Sequence, residues 1–229
     1  MPNIFIVHYK KLIERKDYLK SALHFFVERN KCEFVENFDR DLIETYDTMY
    51  HKNIELWKER ISGIYINEPE YRDLKPSEIC NSLSHIDAMK RMLNQNLPRA
   101  IILEDDVIVN DDFLEKIYNL IRILPNDYDF AFFGTSYDMS QLDNITFNES
   151  IQYDQNLYKK KIGITRCVDA YIVSEKGAKK IVNEISEICL PFDFELNYFF
   201  KKLNMNVYWY DPGFISQGSQ TGQYKSSIR

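Results

Sequence analysis

Three consecutive carboxylates, Glu104, Asp105 and Asp106, follow directly on the apolar run Ile101-Ile102-Leu103. Adjacent acids repel, and an apolar run heads for a core, so this placement calls for a reason. Successive residues of a strand point to opposite faces, which puts Glu104 and Asp106 on one side and Asp105 on the other. In an open α/β sheet, ligands gather at the carboxyl ends of the strands. Carboxylates collected there repel unless a cation offsets them, and hard oxygen donors suit Mg²⁺ or Mn²⁺. An ion of that kind commonly bridges the oxygens of a diphosphate, so the cluster reads as a metal–diphosphate platform. The plainer alternative is a helix cap. Asp111 and Asp112, in the first turn of the next helical stretch, fit capping better and leave the cluster unexplained by it.

Other residues could share such chemistry. Asp193 and Glu195 form a second acid-x-acid pair after Pro191. If the turn brings them opposite the platform, one can take the proton from an acceptor hydroxyl, while Asp193 is also placed to cap a helix. His85 lies on a helix beside an apolar stripe, as a packed core histidine or a positioning group. Glu78 is either a helix-start acid working with Ser77 or an acceptor contact. Arg15 can reach a phosphate or pair with an acid in the fold. Tyr9, at the end of the first apolar run, can stack on a base or simply be buried.

The elements that must position these groups follow from periodicity. Residues 3–8 read as a strand, Glu14 to Arg29 as a helix with Leu19, Leu23, Phe26 and Val27 at helical spacing, and 32–38 as a second strand. This is a βαβ rhythm. Residues 47–61 can be helical, and 67–76 read as a loop. Pro76 opens a strong helix with Ile79, Leu83, Ile86, Met89 and Leu93 on one face. A strand at 100–104, a helix at 111–124 and a strand at 128–134 follow. Residues 135–162 lack periodicity and read as a long surface loop, lid or small hairpin. A strand at 166–174, a helix at 174–185 capped by Ser174, a helix within 190–203 and a strand at 206–212 complete the pattern. The tail 213–229 is polar and reads as flexible in part.

The 229 residues suit a single domain spanning 1–229, and 45% hydrophobic content supports a substantial core. A net charge of −6 and a pI near 5.3 argue against a duplex nucleic-acid partner. Cys32, Cys80, Cys167 and Cys189 are far apart with no CxxC pair, which argues against structural zinc and for a reduced protein. The opening residues lack signal-peptide layout, and no run approaches the roughly 20 apolar residues of a membrane helix. The expectation is a cytoplasmic protein. "LYKKKIG" (157–163) and Lys201-Lys202 leave peripheral contact with anionic headgroups open, with solvated surface lysines as the plainer account.

The passage "KPSEICNSLSHIDAMKRMLNQNLPRAIILEDDVIVNDDF" (75–113) resembles the central block of glycosyltransferase family 25, which includes bacterial lipooligosaccharide and collagen galactosyltransferases. The shared features are the helix-start Glu78, Ser84-His85 and Glu104-Asp105-Asp106. In order along the chain, "FIVHYKKLIERKDYL" (5–19), "DAYIVSEKGAKKIV" (169–182), "LPFDFEL" (190–196) and the ending "SQGSQTGQYKSSI" are similar as well. Two departures stand out. This chain reads Ser77-Glu78-Ile79-Cys80-Asn81 where the family usually has Gly-Glu-x-Gly-Cys, and His8-Tyr9 where it often has Asn-Leu.

The resemblance implies a GT-A-like α/β domain with a mixed, mostly parallel sheet flanked by helices. It implies transfer of a hexose, galactose first, from a UDP-sugar donor to a saccharide or glycolipid acceptor with inversion, using Mn²⁺ or Mg²⁺. Asp106 would ligate the metal, with Glu104 as a second ligand. Glu104 or Asp105 would otherwise bind the ribose or a metal-bound water. Asp193 would be the base, with Glu195 beside it. Tyr9, Arg15, His85 and Gln217 would serve the donor site, Gln217 from a tail that closes over it. A non-catalytic nucleotide-sugar binder and a GT-A-like nucleotidyltransferase are the competing readings.

Overall fold

A computed structural model of the chain describes residues 1–45, 50, 52–65, 67–136 and 149–225. The first half holds strand β1 (Asn3–Val7), helices α1 (Ile13–Ala22) and α2 (His24–Val27), strand β2 (Cys32–Val35) and a 3-10 turn at Arg40–Thr45. Helices α3 (Ile54–Ile61) and α4 (Pro76–Asn94), strands β3 (Arg99–Glu104) and β4 (Val107–Val109), helix α5 (Phe113–Ile123) and strand β5 (Phe130–Phe132) follow. The second half holds the hairpin β6 (Ser150–Asp154) and β7 (Leu157–Lys160), strand β8 (Ala170–Ser174), helices α6 (Glu175–Glu184) and α7 (Phe192–Lys202), strands β9 (Val207–Tyr210) and β10 (Ile215–Gln217), and the short helix α8 (Gly218–Thr221).

Eight strands form one sheet in the order β2-β1-β3-β8-β5-β9-β7-β6, and β4 pairs with β10 apart from it. The sheet separates two apolar cores. Phe5, Ile102, Phe132 and Tyr171 face the core under α4, α6 and α7. Ile4, Leu103, Ala131 and Ile172 face the core under α1, α2 and α5. Burial on both faces explains why the central strands read as unbroken apolar runs.

The expected α/β architecture with a mixed sheet and flanking helices is present. The expectation that the sheet is mostly parallel needs correction. The pairings β1·β2, β1·β3 and β5·β9 are parallel, whereas β3·β8, β5·β8, β7·β9 and β6·β7 are antiparallel. Strand β8 inserts between β3 and β5 running against both, and a strand buried on two faces has the same composition in either direction. The insertion sets the start of β8 beside the end of β3: the Glu104 amide donates to the Asp169 carbonyl at 2.9 Å.

One other expectation changes. The helix read from Glu14 to Arg29 breaks near Leu23 into α1 and α2, and Asn30 takes a left-handed φ of 51° after it. Of the segment 135–162, residues 150–160 form the β6–β7 hairpin, while 137–148 lie outside the described residues. In the tail, β10 pairs with β4 and the Tyr224 amide donates to the Gly218 carbonyl at 3.0 Å, while 226–229 lie outside the described residues. Of the lysines considered for headgroup contact, Lys161, Lys201 and Lys202 are exposed and Lys160 is not. Lys160 is buried against Trp209, Lys161 pairs with Glu149, Lys201 bonds the Gly63 carbonyl and Lys202 pairs with Glu184. No described helix is long and apolar enough to cross a membrane.

Glu195, expected beside Asp193 as a catalytic acid, is bound into the fold. It is wholly buried, paired with Arg60 of α3, and accepts the amides of Cys189 and Leu190 at 2.7 and 2.9 Å. Residues 193 and 195 lie two apart in the first turn of α7, so they leave the helix in different directions. Glu195 thereby locks α3 to the start of α7. Glu195→Ala strands a buried guanidinium and two amides, so it should cost about 3–5 kcal/mol, read as a lowered urea midpoint. A loss under roughly 1 kcal/mol would mean that the pair does not hold these helices.

Candidate active site

A cleft opens at the carboxyl ends of β1 and β3. Its walls are His8 and Tyr9 after β1, Ser77 and Asn81 of α4, the acidic cluster, and Gln217 and Ser219 from the C-terminal segment. The cluster therefore lies where strand ends meet a helix start, and the three carboxylates meet different fates there.

Asp105 is bound into the fold. Its Oδ1 accepts from Arg15 Nη1 at 2.6 Å, and its Oδ2 accepts from the Tyr9 amide and meets His8 Nδ1, both at 3.0 Å. Burial works to raise its pKa, but the bonds from His8, Tyr9 and Arg15 outweigh it and hold the carboxyl below its ordinary value. Of the two roles open to Arg15, the structure shows the pairing with an acid. Its Nη2 donates to the Lys225 carbonyl at 2.6 Å, and its guanidinium lies 4.9 Å from the Tyr224 ring, so it also pins the C-terminal segment.

Glu104 is steadied from two sides. Asn81 Nδ2 donates to Oε1 at 3.0 Å and Gln217 Nε2 to Oε2 at 3.2 Å. His85 is fully buried, with Nδ1 3.0 Å from the Tyr171 hydroxyl and Nε2 3.6 Å from Glu104 Oε1. Its ring stacks on Phe192 with centroids 4.7 Å apart. His85 is thus a packed group that backs Glu104 from behind.

Asp106 is the exception. It is 6% exposed, and among the described residues its Oδ1 has no hydrogen-bond partner. Burial, then repulsion from Glu104, pushes its pKa up to about 6 against a hydrogen bond from Ser219. The Gly218 amide donates to the Asp106 carbonyl at 2.7 Å, so α8 starts directly over this residue. A Cβ at Gly218 would come within 2.9 Å of that carbonyl, which explains glycine there.

A fourth carboxylate, Asp169, joins the group and was missed in the sequence. It is fully buried at the start of β8, accepts from the Ser136 hydroxyl at 2.9 Å, and among the described residues leaves Oδ1 without a partner. Burial and then Glu104 push its pKa to about 8. Gly134 makes room for it, since a Cβ there would sit 2.3 Å from Asp169 Oδ2. The Ser136 hydroxyl also lies 3.3 Å from Gln217 Oε1, which links Asp169 to Gln217 and on to Glu104. The only sequence signal was an acid directly before an apolar strand, and its meaning depends on the strand's direction. His8 and Asn81 stood out in the sequence only as departures from the family pattern, because single polar residues at element ends carry no period.

Asp193 lies in the first turn of α7, half-buried, with Oδ1 accepting from the Phe194 amide at 3.0 Å. The N-cap of α7 is Pro191, so Asp193 is not the cap. Burial, with further repulsion from Glu104 and Glu78, raises its pKa to about 6. Glu78 is tied to Arg72 at 2.5 and 2.7 Å and accepts the Lys75 amide at 2.8 Å, the helix-start role, with Lys75 in place of Ser77. Tyr9 is half-buried at the cleft wall, bonded to Asp41, with the Arg40 guanidinium 3.9 Å over its ring.

Raised acid pKa values carry a sign for stability. A carboxyl whose folded pKa exceeds its unfolded value binds the extra proton in the folded state, so stability rises as pH falls through the folded value. Asp106→Asn removes the charge and keeps the shape. Without ligand it should be more stable than wild type at pH 7, by about 1–3 kcal/mol, with the gap closing between pH ~6 and ~4. Thermal unfolding across that range checks this, and a less stable Asn variant at pH 7 would contradict the repulsion.

Among solved structures, the chain is similar to A197 from STIV (12% identity, TM-score 0.42, covering 94% of this chain and 83% of that one). It is similar to a glycosyltransferase involved in glycosylation of the major capsid of PBCV-1 (11%, 0.48, 94% and 93%). It is also similar to mouse xyloside xylosyltransferase 1 in its apo form (12%, 0.34, 88% and 68%). The assignment rests on sequence: the model of glycosyltransferase family 25 (LPS biosynthesis protein) matches residues 1–196, which takes in β1, the acidic cluster, Asp169 and Asp193. The chain belongs to glycosyltransferase family 25.

Proposed function

We propose that this glycosyltransferase moves a hexose, galactose first among candidates, from a UDP-sugar to a saccharide acceptor with inversion, using Mn²⁺ or Mg²⁺. The observation that carries the reading is the buried Oδ1 of Asp106 at the cleft, unpartnered among the described residues and beside Glu104. The residues fit a hard cation. Among the described residues no set of three or more His, Cys, Asp or Glu groups gathers to hold an ion. The protein would therefore supply one or two oxygens, Asp106 first and Glu104 second, and diphosphate and water the rest, as is usual for Mg²⁺ with nucleotides. Bound there, the ion would offset the negative charge that grows on the departing diphosphate.

The protein's own groups do the remainder. Tyr9, steadied by Arg40 and Asp41, offers an aromatic face at the cleft wall for the uracil. Gln217 and Asn81 hold Glu104 so that its oxygens are aimed before the donor arrives. Asp193 takes the proton from the acceptor hydroxyl as that oxygen attacks the anomeric carbon opposite the leaving UDP. A base with a pKa near 6 is ionised at neutral pH and still holds a proton usefully. The family's description as an LPS biosynthesis protein supports a surface-glycan acceptor, and a site of action at the cytoplasmic side of a membrane follows as part of the same proposal.

Calorimetric titration tests the donor half. UDP should bind with Mn²⁺ and much more weakly without it, GDP should bind poorly, and Asp106→Asn should abolish the metal-dependent part. Equal UDP binding with and without metal would end the metal reading. Asp193→Asn should leave UDP affinity within about twofold and lower kcat by roughly 10²–10⁴. Wild-type kcat should fall as pH drops through about 6, where the base becomes protonated. An Asp193→Asn enzyme with wild-type kcat would remove Asp193 from the reaction.

A further inference from the structure

No step of the proposed transfer uses Asp169, yet it is fully buried and keeps one oxygen without a partner among the described residues. A buried acid in that state needs a physical reason. Its surroundings form a relay of polar contacts. Asp169 Oδ2 lies 2.9 Å from the Ser136 hydroxyl, that hydroxyl lies 3.3 Å from Gln217 Oε1, and Gln217 Nε2 donates to Glu104 Oε2 at 3.2 Å. Backbone bonds set the spacing. The Phe214 amide donates to the Phe133 carbonyl at 2.9 Å and the Thr135 amide to the Ile215 carbonyl at 2.7 Å. The strand that carries Gln217 therefore runs alongside the segment that carries Ser136.

The proton count gives the relay a direction. A glutamine amide has one donating end and one accepting end. Turned over, Gln217 would set Oε1 against the Glu104 carboxylate, oxygen to oxygen. A donor at Oε1 favours the orientation seen, and the Ser136 hydroxyl is placed to be that donor. One hydroxyl carries one proton. Ser136 serves Gln217 only if Asp169 Oδ2 donates a proton to the Ser136 oxygen in turn. Asp169 is then a neutral acid, and its unpartnered oxygen costs less to bury than a carboxylate oxygen would. Burial and repulsion from Glu104 favour the same protonated form.

We infer that Asp169 is a positioning residue: as a neutral acid it donates to Ser136, Ser136 donates to Gln217, and the Gln217 amide is thereby fixed with its N–H toward Glu104. This role rests on the transferase reading above, in which Glu104 must stay charged and aimed beside Asp106 before donor and cation arrive. It also reverses what asparagine does at an active-site acid. An acid that works as a charge is lost on substitution by asparagine. One that works as a donor is replaced by it, because the amide N–H donates where the acid O–H did.

The test uses the full chain with two readouts: UDP affinity in the presence of Mn²⁺, by calorimetry, and hydrogen exchange of the amides at 215–221 without ligand. Ser136→Ala should weaken UDP about tenfold and speed that exchange about tenfold, and Ser136→Thr, which keeps a hydroxyl, should recover most of both. Asp169→Ala should behave as Ser136→Ala does, and Asp169→Asn should recover most of that loss. Unchanged affinity and exchange in Ser136→Ala would overturn the positioning role. So would an Asp169→Asn variant that binds UDP as weakly as Asp169→Ala. Wild-type protein that binds no UDP with Mn²⁺ would end the transferase reading, and the exchange pattern of these variants would still support or overturn the relay.

Discussion

Mutual repulsion among Glu104, Asp105, Asp106 and Asp169, gathered with little water at one end of the sheet, governs the arrangement around them. Each charge is handled differently. Asp105 is neutralised by Arg15 and hydrogen-bonded by His8 and the Tyr9 amide, which ties β1 to the end of β3. Glu104 is held by neutral amides from Asn81 and Gln217, which fix it without cancelling its charge. Asp169 is deepest and keeps its proton most readily. Among the described residues, Asp106 is left with an unpartnered oxygen. Asp169 shares that feature, and what separates Asp106 is its place on the cleft wall.

The C-terminal segment belongs to this arrangement and is no appendage. Arg15 grips the Lys225 carbonyl, β10 pairs with β4, and the Gly218 amide reaches the Asp106 carbonyl. Gln217 and Ser219 are thereby delivered to the carboxylates from more than a hundred residues away in sequence. One consequence is that Asp105 acts twice: it steadies the end of β1 and, through Arg15, the segment that closes over Asp106. Its burial against Arg15 is tolerated because every oxygen finds a partner, the condition under which a buried ion pair is not a liability.

The departures from the family pattern fall at points where the structure supplies local partners. His8 bonds Asp105, and Tyr9 lines the cleft with Arg40 over its ring. Asn81 of the altered helix start donates to Glu104. Residues that looked like losses against the pattern are therefore engaged with the acidic cluster itself.

The sequence by itself determined the α/β class, most elements, and the position of an acidic cluster at the end of a buried strand. Those depend on local period and on hydrophobic runs, which a chain carries within a few residues. It left strand direction undecided, because β8 buried on both faces has the same composition whichever way it runs, and so it hid Asp169 from Glu104. It treated Asp193 and Glu195 as a pair, when one bonds the Phe194 amide of its own helix turn and the other is locked to Arg60. The difference arises from helix geometry and from which neighbours α7 packs against. Only the tertiary structure decided which acid is neutralised, which is held and which is left open, since that depends on partners such as Arg15, Gln217 and Ser219 brought together by the sheet and not by sequence.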